Sequence, residues 1–186
     1  LIEDAGLDAE QEEKLEKALG RQYHLITRDD RLETVAQDIV RHFLGRGFVG
    51  KAMVVSIDKA TALRMHDKVK AHWATEVQRV QKELSELARL PRGGELTPEH
   101  ARHDARKAEL KRLLDTLMTT DMAVIVSPGQ NEIEQMKRLG LDIEPHRRRM
   151  NDSQPGLDEK FKDTDDPLRL VFVCAMWLTG FDASKC

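Results

Sequence analysis

The chain has 186 residues, of which 40% are hydrophobic and 34% charged, and its formal net charge is -3. That balance suits one globular domain with a sizeable core and an appended element, and it tilts toward charged helices. No run approaches the ~20 apolar residues that a membrane span needs, which excludes a spanning helix, and a near-neutral balance leaves any nucleic-acid contact to a local patch.

The first residues, Leu1-Ile2-Glu3-Asp4, carry neither an initiator Met nor a signal-peptide pattern, and Ala183-Ser184-Lys185-Cys186 follows directly on an apolar segment. The chain is therefore read as a piece of a longer protein. Its 2 cysteines make no disulfide framework and point to a reducing cytoplasm, with Cys174 a small buried apolar side chain.

Residues 1–22 read as a linker helix, polar and charged from Asp8 to Leu19. Tyr23 to Thr27 reads as a short extended entry segment. The next helix is capped by Asp29 or Asp30, whose carboxylates can accept from free N–H groups of the first turn. Leu32, Val35, Ala36, Ile39, Val40, Phe43 and Leu44 then fall on one face, and Gly45 and Gly47 end it. Ala52 to Ser56 is short and β-branched, and reads as a strand buried on both faces, as parallel sheets require.

A long helix starts at Asp58. Its stripe of Met65, Val69, Trp73, Val77, Val80, Leu84 and Leu87 is spaced like a coiled coil, which makes Trp73 a packing residue. Pro91-Arg92-Gly93-Gly94 breaks it, and Thr97-Pro98-Glu99 opens another helix in which Ala101, Ala105, Ala108, Leu113 and Leu117 can face back. Residues 70–118 are thus expected to form an antiparallel helical hairpin. Met122 to Ser127 is a second buried strand. Ile133, Met136 and Leu139 line a short helix that stops at Gly140. Residues 150–167 read as loop with one short helix from Leu157 to Lys162, and Leu168 to Cys174 is the third strand. Strands alternating with helices predict an α/β fold with a mostly parallel sheet.

In open α/β sheets ligands bind beyond the carboxyl ends of the strands. Those ends carry Ser56, Ser127 and the run Thr179-Gly180-Phe181-Asp182. A strand followed by Thr-Gly-x-Asp can hold a phosphate: the hydroxyl donates, Gly lets a backbone N–H approach, and Asp orients neighbouring donors. A turn stabilised by Thr and Asp explains the same residues.

Three segments carry a family resemblance. Lys51 to Ser56, with the helix from Asp58, resembles motif IV of superfamily-2 helicases, and Leu170 to Ala183 resembles motif V. The wording Met176-Trp177-Leu178-Thr179-Gly180-Phe181-Asp182 is similar to the restriction subunits of type I restriction-modification enzymes. Ile26-Thr27-Arg28-Asp29-Asp30-Arg31-Leu32 resembles that family's entry into its second motor lobe. The resemblance implies that residues 23–186 are a second RecA-like (P-loop NTPase-type) motor lobe, truncated at its C-terminus and carrying the 70–118 hairpin as an insertion.

The family's subunits use ATP and Mg2+ to pull double-stranded DNA, and they work beside methyltransferase and specificity subunits. By resemblance, Ser56 and Thr179-Gly180 would meet DNA phosphates, while Gly180 and Asp182 would brace motif V at the ATP cleft. Phosphate contacts position a strand without reading its sequence, which suits a translocase. The sequence has no Gly-x-x-x-x-Gly-Lys-Ser/Thr phosphate loop and no magnesium-holding Asp-Glu pair, and it stops before motif VI. A fragment without nuclease or ATPase activity of its own is therefore expected. Two other readings stay open: a lobe of another superfamily-2 helicase or remodeller, and a non-enzymatic interaction module built on the hairpin.

His146-Arg147-Arg148-Arg149 is the densest basic run. Arg147, Arg148 and Arg149 can grip a DNA backbone, and equally read as a solvated cluster before a loop. His100, His103 and Asp104 share a helix face but lack the further ligand of a zinc set. Asp158-Glu159-Lys160 has acid-x-Lys character with no upstream strand to supply a partner carboxylate. Trp177, beside motif V, reads as packing or as a DNA contact.

Overall fold

The computed structural model describes residues 19–47, 50–89 and 98–174. Within them lie α1 (Asp29–Gly45), β1 (Ala52–Val55), α2 (Lys59–Arg89), α3 (Pro98–Thr119), β2 (Asp121–Val126), α4 (Glu132–Arg138), α5 (Glu144–Asp152), α6 (Leu157–Lys162) and β3 (Leu168–Cys174). The strands form one parallel sheet in the order β1-β3-β2. Ala52 stands opposite Leu170 and Val55 opposite Val173, while Val126 stands opposite Cys174. No described helix is long and apolar enough to cross a membrane.

The period of two along a strand splits the core into two layers. Met122, Val124 and Val126 of β2, with Leu170 and Phe172 of β3, face α1, α2 and α3. Ala123, Ile125, Val171 and Val173 face the other way, onto Leu157 and Phe161 of α6. Helices thus cover both faces, as a parallel sheet requires.

All seven predicted apolar positions of α1 turn inward; Leu32, Ala36, Val40 and Phe43 are buried, and Val35, Ile39 and Leu44 pack half-buried beside them. Its cap differs from expectation. Arg28 is the N-cap and makes no side-chain cap bond. Asp30 instead takes two hydrogen bonds from the Arg28 guanidinium, at 2.6 and 3.0 Å. Asp29 and Asp30 sit inside the first turn, where acidic groups favour the helix dipole.

Four further expectations are corrected. Residues 19–26 are helical, so Tyr23 to Ile26 is not extended, and the Thr27 N–H closes an α-type bond to the Tyr23 carbonyl at 2.9 Å. β1 is half-buried rather than buried on both faces, with Val55 exposed, whereas β2, at the other edge of the described sheet, is buried. On α4 only Met136 of the predicted apolar trio is buried; Ile133 and Leu139 are exposed, and Glu132 takes an inward position. The basic run does not precede a loop: it lies in α5, which has Pro145 in its first turn and its first N–H bonded to Asp142.

The α2 stripe is seated as its spacing predicts. Met65, Val69, Trp73 and Val80 are buried, with Val77, Leu84 and Leu87 half-buried. Trp73 packs against Phe43, centroids 5.6 Å apart, and its indole N–H donates to the Leu117 carbonyl of α3 at 2.9 Å. Further along α2, Glu83 accepts from Arg106 of α3 at 2.7 Å. Leu110 and Leu117 are the buried side chains of α3, while Ala101, Ala105 and Ala108, expected to face α2, are exposed. Along the α2–α3 seam, ion pairs accompany the half-buried Leu84 and Leu87 of α2 and Leu113 and Leu114 of α3. Residues 90–97, which would join the two helices into a hairpin, and residues 1–18, expected as a linker helix, lie outside the described residues.

Lys51 fastens the amino end of the sheet. It is buried, and its ammonium donates to the carbonyls of Lys160, Asp166 and Leu168 at 3.1, 2.9 and 2.7 Å. Burial pulls its pKa below the ordinary lysine value, against an opposing pull from Asp166. Three carbonyls matched to three donors are what allow a charged group to sit there.

Candidate functional site

The candidate site lies at the carboxyl edge of the sheet, where β1 runs into α2 and β2 into α4. The Ser56 N–H donates to the Val173 carbonyl at 2.8 Å, which carries the ladder one residue past β1. Its Oγ is buried and has no hydrogen-bond partner among the described residues. Asp58 caps α2 by accepting from the Thr61 N–H at 2.6 Å. A very short hydrogen bond from the Tyr23 hydroxyl reaches the same carboxylate, so the N-terminal helical stretch is tied to the end of β1. Burial works to raise the Asp58 pKa, but the Tyr23 and Thr61 bonds outweigh it and hold it below the usual carboxylate value. The same bond raises the Tyr23 pKa.

Beside this cap sits a second network. Glu132, at the start of α4, is buried and accepts two bonds from Arg147 of α5, at 2.8 and 2.9 Å. Lys59 Nζ stands 3.5 Å from Oε2, the oxygen that also accepts from Arg147 Nη2. Arg147 also donates to the carbonyls of Val126 and Ser127 at 3.0 and 3.1 Å, so its fork clamps the end of β2. Gly129 makes room for this: a Cβ there would stand 2.8 Å from Lys59 Nζ. Burial tends to raise the Glu132 pKa, but the bonds from Arg147 prevail and lower it. Cys174, at the end of β3, is half-buried. Burial pushes its thiol up, Asp58 adds to this and Lys59 opposes it.

The three arginines of the basic run have different fates. Arg147 is turned inward. Arg149 donates to the Met122 carbonyl at 2.7 Å and forms a very short ion pair with Asp121, so it is engaged at the amino end of β2. Arg148 is exposed and has no ion pair among the described residues. Ser56 stands at the carboxyl edge as predicted, whereas Thr179, Gly180 and Asp182, with Trp177, lie outside the described residues. Of the remaining candidates on α3, His100 is half-buried, His103 and Asp104 are exposed, and the three form no close ligand group among the described residues. Asp158-Glu159-Lys160 opens α6 at the amino end of the sheet, where the Lys160 carbonyl meets Lys51.

Lys59, Tyr23, Glu132 and the inward role of Arg147 were not predicted. The signal for Glu132 was slight: a carboxylate just after the Pro128-Gly129 turn, at the first turn of a helix whose apolar spacing is imperfect. Chemically, the edge offers the buried Ser56 hydroxyl and the partly exposed Lys59 ammonium, beside an α2 start that Asp58 already caps.

No protein-family model matches the chain, and no solved structure matches it. Over 177 residues, 94% of the chain, it is 25% identical to a protein of Methanocaldococcus jannaschii provisionally named the type I restriction enzyme MjaIXP endonuclease subunit. Over 184 residues, 98% of the chain, it is 25% identical to the type I restriction enzyme HindI endonuclease subunit of Haemophilus influenzae. The chain spans 12% and 13% of the lengths of these two relatives, to which it is similar from end to end of its own sequence.

Proposed function

We propose that the chain is part of the DNA-translocating endonuclease subunit of a type I restriction enzyme, and that it forms the second RecA-like motor lobe of that subunit. The observation that carries this reading is the alignment of nearly the whole chain with two proteins of that name. The parallel sheet, with a serine and a long helix start at the carboxyl end of β1, is consistent with it. In this reading Ser56, Thr179 and Gly180 contact DNA phosphates, and Asp182 braces the segment after β3. Arg148 carries the basic run's contact with DNA, while Arg147 and Arg149 hold the fold around it. The outer part of α2 and α3, joined through residues 90–97, forms a projecting hairpin arm. The partners are double-stranded DNA and the methyltransferase and specificity subunits.

ATP and Mg2+ would be held chiefly by other parts of the parent protein. The sequence has no phosphate loop, and the one buried carboxylate at the described carboxyl edge, Glu132, is saturated by Arg147 and Lys59. These residues do not fit a magnesium site, and no step of phosphoryl transfer is assigned to them.

The test is DNA-stimulated ATP turnover and translocation by the intact subunit carrying Thr179→Ala or Arg148→Glu. Both variants are expected to lose translocation at least tenfold with folding unchanged. DNA-stimulated ATP turnover by the 186-residue chain alone, or full translocation by both variants, would overturn the reading.

A further inference from the structure

One group of side chains lies apart from the carboxyl edge and has no part in the reading above. His66 sits on the inward face of α2, buried, with its ring edge-on to Phe172 of β3 at 5.4 Å between centroids. His146 on α5 meets it edge-on at 4.8 Å. Asp67 lies beside them at the surface, and its carboxylate is 3.0 Å from His66 Nδ1. A ring nitrogen from each histidine and a carboxylate oxygen of Asp67 all fall within 4.8 Å of one another. Among the described residues this is the one group of three such side chains with ligand atoms so close.

We propose that His66, Asp67 and His146 form a binding site for a divalent transition-metal ion that ties α2 to α5. Ligand atoms around such an ion at ~2.0–2.2 Å must come to roughly 3–3.5 Å of one another. The group therefore needs only to close by about an ångström, through a rotation of His146 on the short helix α5 and of the exposed Asp67. Two imidazoles and one carboxylate select zinc, nickel, cobalt or iron over magnesium and calcium, which prefer all-oxygen sets. Three protein ligands leave a position for water. Burial of His66 against Phe172 fixes one ligand in advance, as a preorganised site requires. Lys70 and Arg149 place positive charge near His146, so the Asp67 carboxylate is what makes a cation acceptable there. The ion would join the helix that carries Arg147, and hence the clamp on β2, to the long helix α2.

The probe is Zn2+, with Co2+ as its spectroscopic counterpart, titrated into the untagged full chain after stripping with a chelator. One equivalent is expected to bind with micromolar affinity, to give visible d–d absorption with Co2+, and to raise the melting temperature. His146→Asn and Asp67→Asn should each weaken binding at least tenfold. His100→Asn combined with His103→Asn should leave it unchanged. His66 is left intact because its burial makes loss of folding the trivial result. Melting of each variant in chelator confirms the fold, and Asp67→Asn, at a side chain 64% exposed, decides the matter if His146→Asn does not fold. Unaltered affinity in Asp67→Asn, or loss of binding in the α3 double variant, overturns the site.

Discussion

The two halves of α2 obey the same sequence rule and live in different surroundings. From Lys59 to Trp73 the helix lies on the sheet and buries Ala60, Thr61, Ala62, Leu63, Met65, His66, Val69 and Trp73. From Ala74 to Arg89 Val80 alone is fully buried, and the neighbours across the gap are side chains of α3 held by Arg79, Glu83 and Arg106. The apolar stripe runs unbroken through both. Periodicity therefore tells which side of a helix faces a partner, while the partner decides how deeply that side is buried.

The same truncation in each half should separate the two surroundings most clearly. Leu63→Ala, in the sheet-bound half, should cost about 2–5 kcal/mol in urea unfolding, since Leu63 is 1% exposed and the cavity cannot collapse against the strands. Leu84→Ala, in the outer half, should cost less than half as much. Equal costs would mean that α3 packs as firmly as the sheet.

Next in size is Arg147→Ala, which strands the buried Glu132 carboxylate and should cost about 2–3 kcal/mol. Adding Glu132→Gln should recover part of that loss, because the group left behind is then neutral. Acid exposes the same link. The Glu132 pKa is lowered in the fold, so its contribution is present above the ordinary glutamate value and is lost as pH falls through the lowered one. A urea series from neutral to acid pH should show this decline in the natural chain and a smaller one in Glu132→Gln. Lys51→Met removes the donor from three carbonyls and should cost about 1–3 kcal/mol at neutral pH. Smallest is Arg106→Ala on the outer arm, whose pairs with Glu83 and Glu109 are solvent-screened. Thermal melting should not shift measurably, and any shift present in low salt should vanish in high salt.

Much of the fold was legible because its elements depend on local signals. The limits of α1 were read from apolar spacing and from Gly45 and Gly47, and β3 from an apolar run between polar segments. The errors at β1, Ile133 and Arg147 share one cause. Whether β1 is central or at an edge, whether Ile133 faces in, and whether Arg147 points to solvent depend on residues distant in sequence. Arg147 is the clearest case: three arginines in a row look like a surface patch, yet a carboxylate 15 positions earlier and the end of a strand draw one of them inside. The Ser56 position was legible because strand ends in parallel sheets are places for ligands. The His66–His146 contact was not, since nothing in either local sequence refers to the other.

The strand order has a consequence for how the molecule is made. The strand at the centre of the sheet, β3, is the last of the three in the chain, and Leu168 lies 117 residues beyond the Lys51 that it engages. At a synthesis rate of ~5–20 residues per second, about 6–23 s separate the emergence of these two partners from the ribosome. During that interval β1 and β2 are each without the strand that will pair with them. The early nascent chain can assemble its nearer contacts, α1 on α2, α2 on α3 and then β2 on α2, so the helical layer precedes the paired sheet.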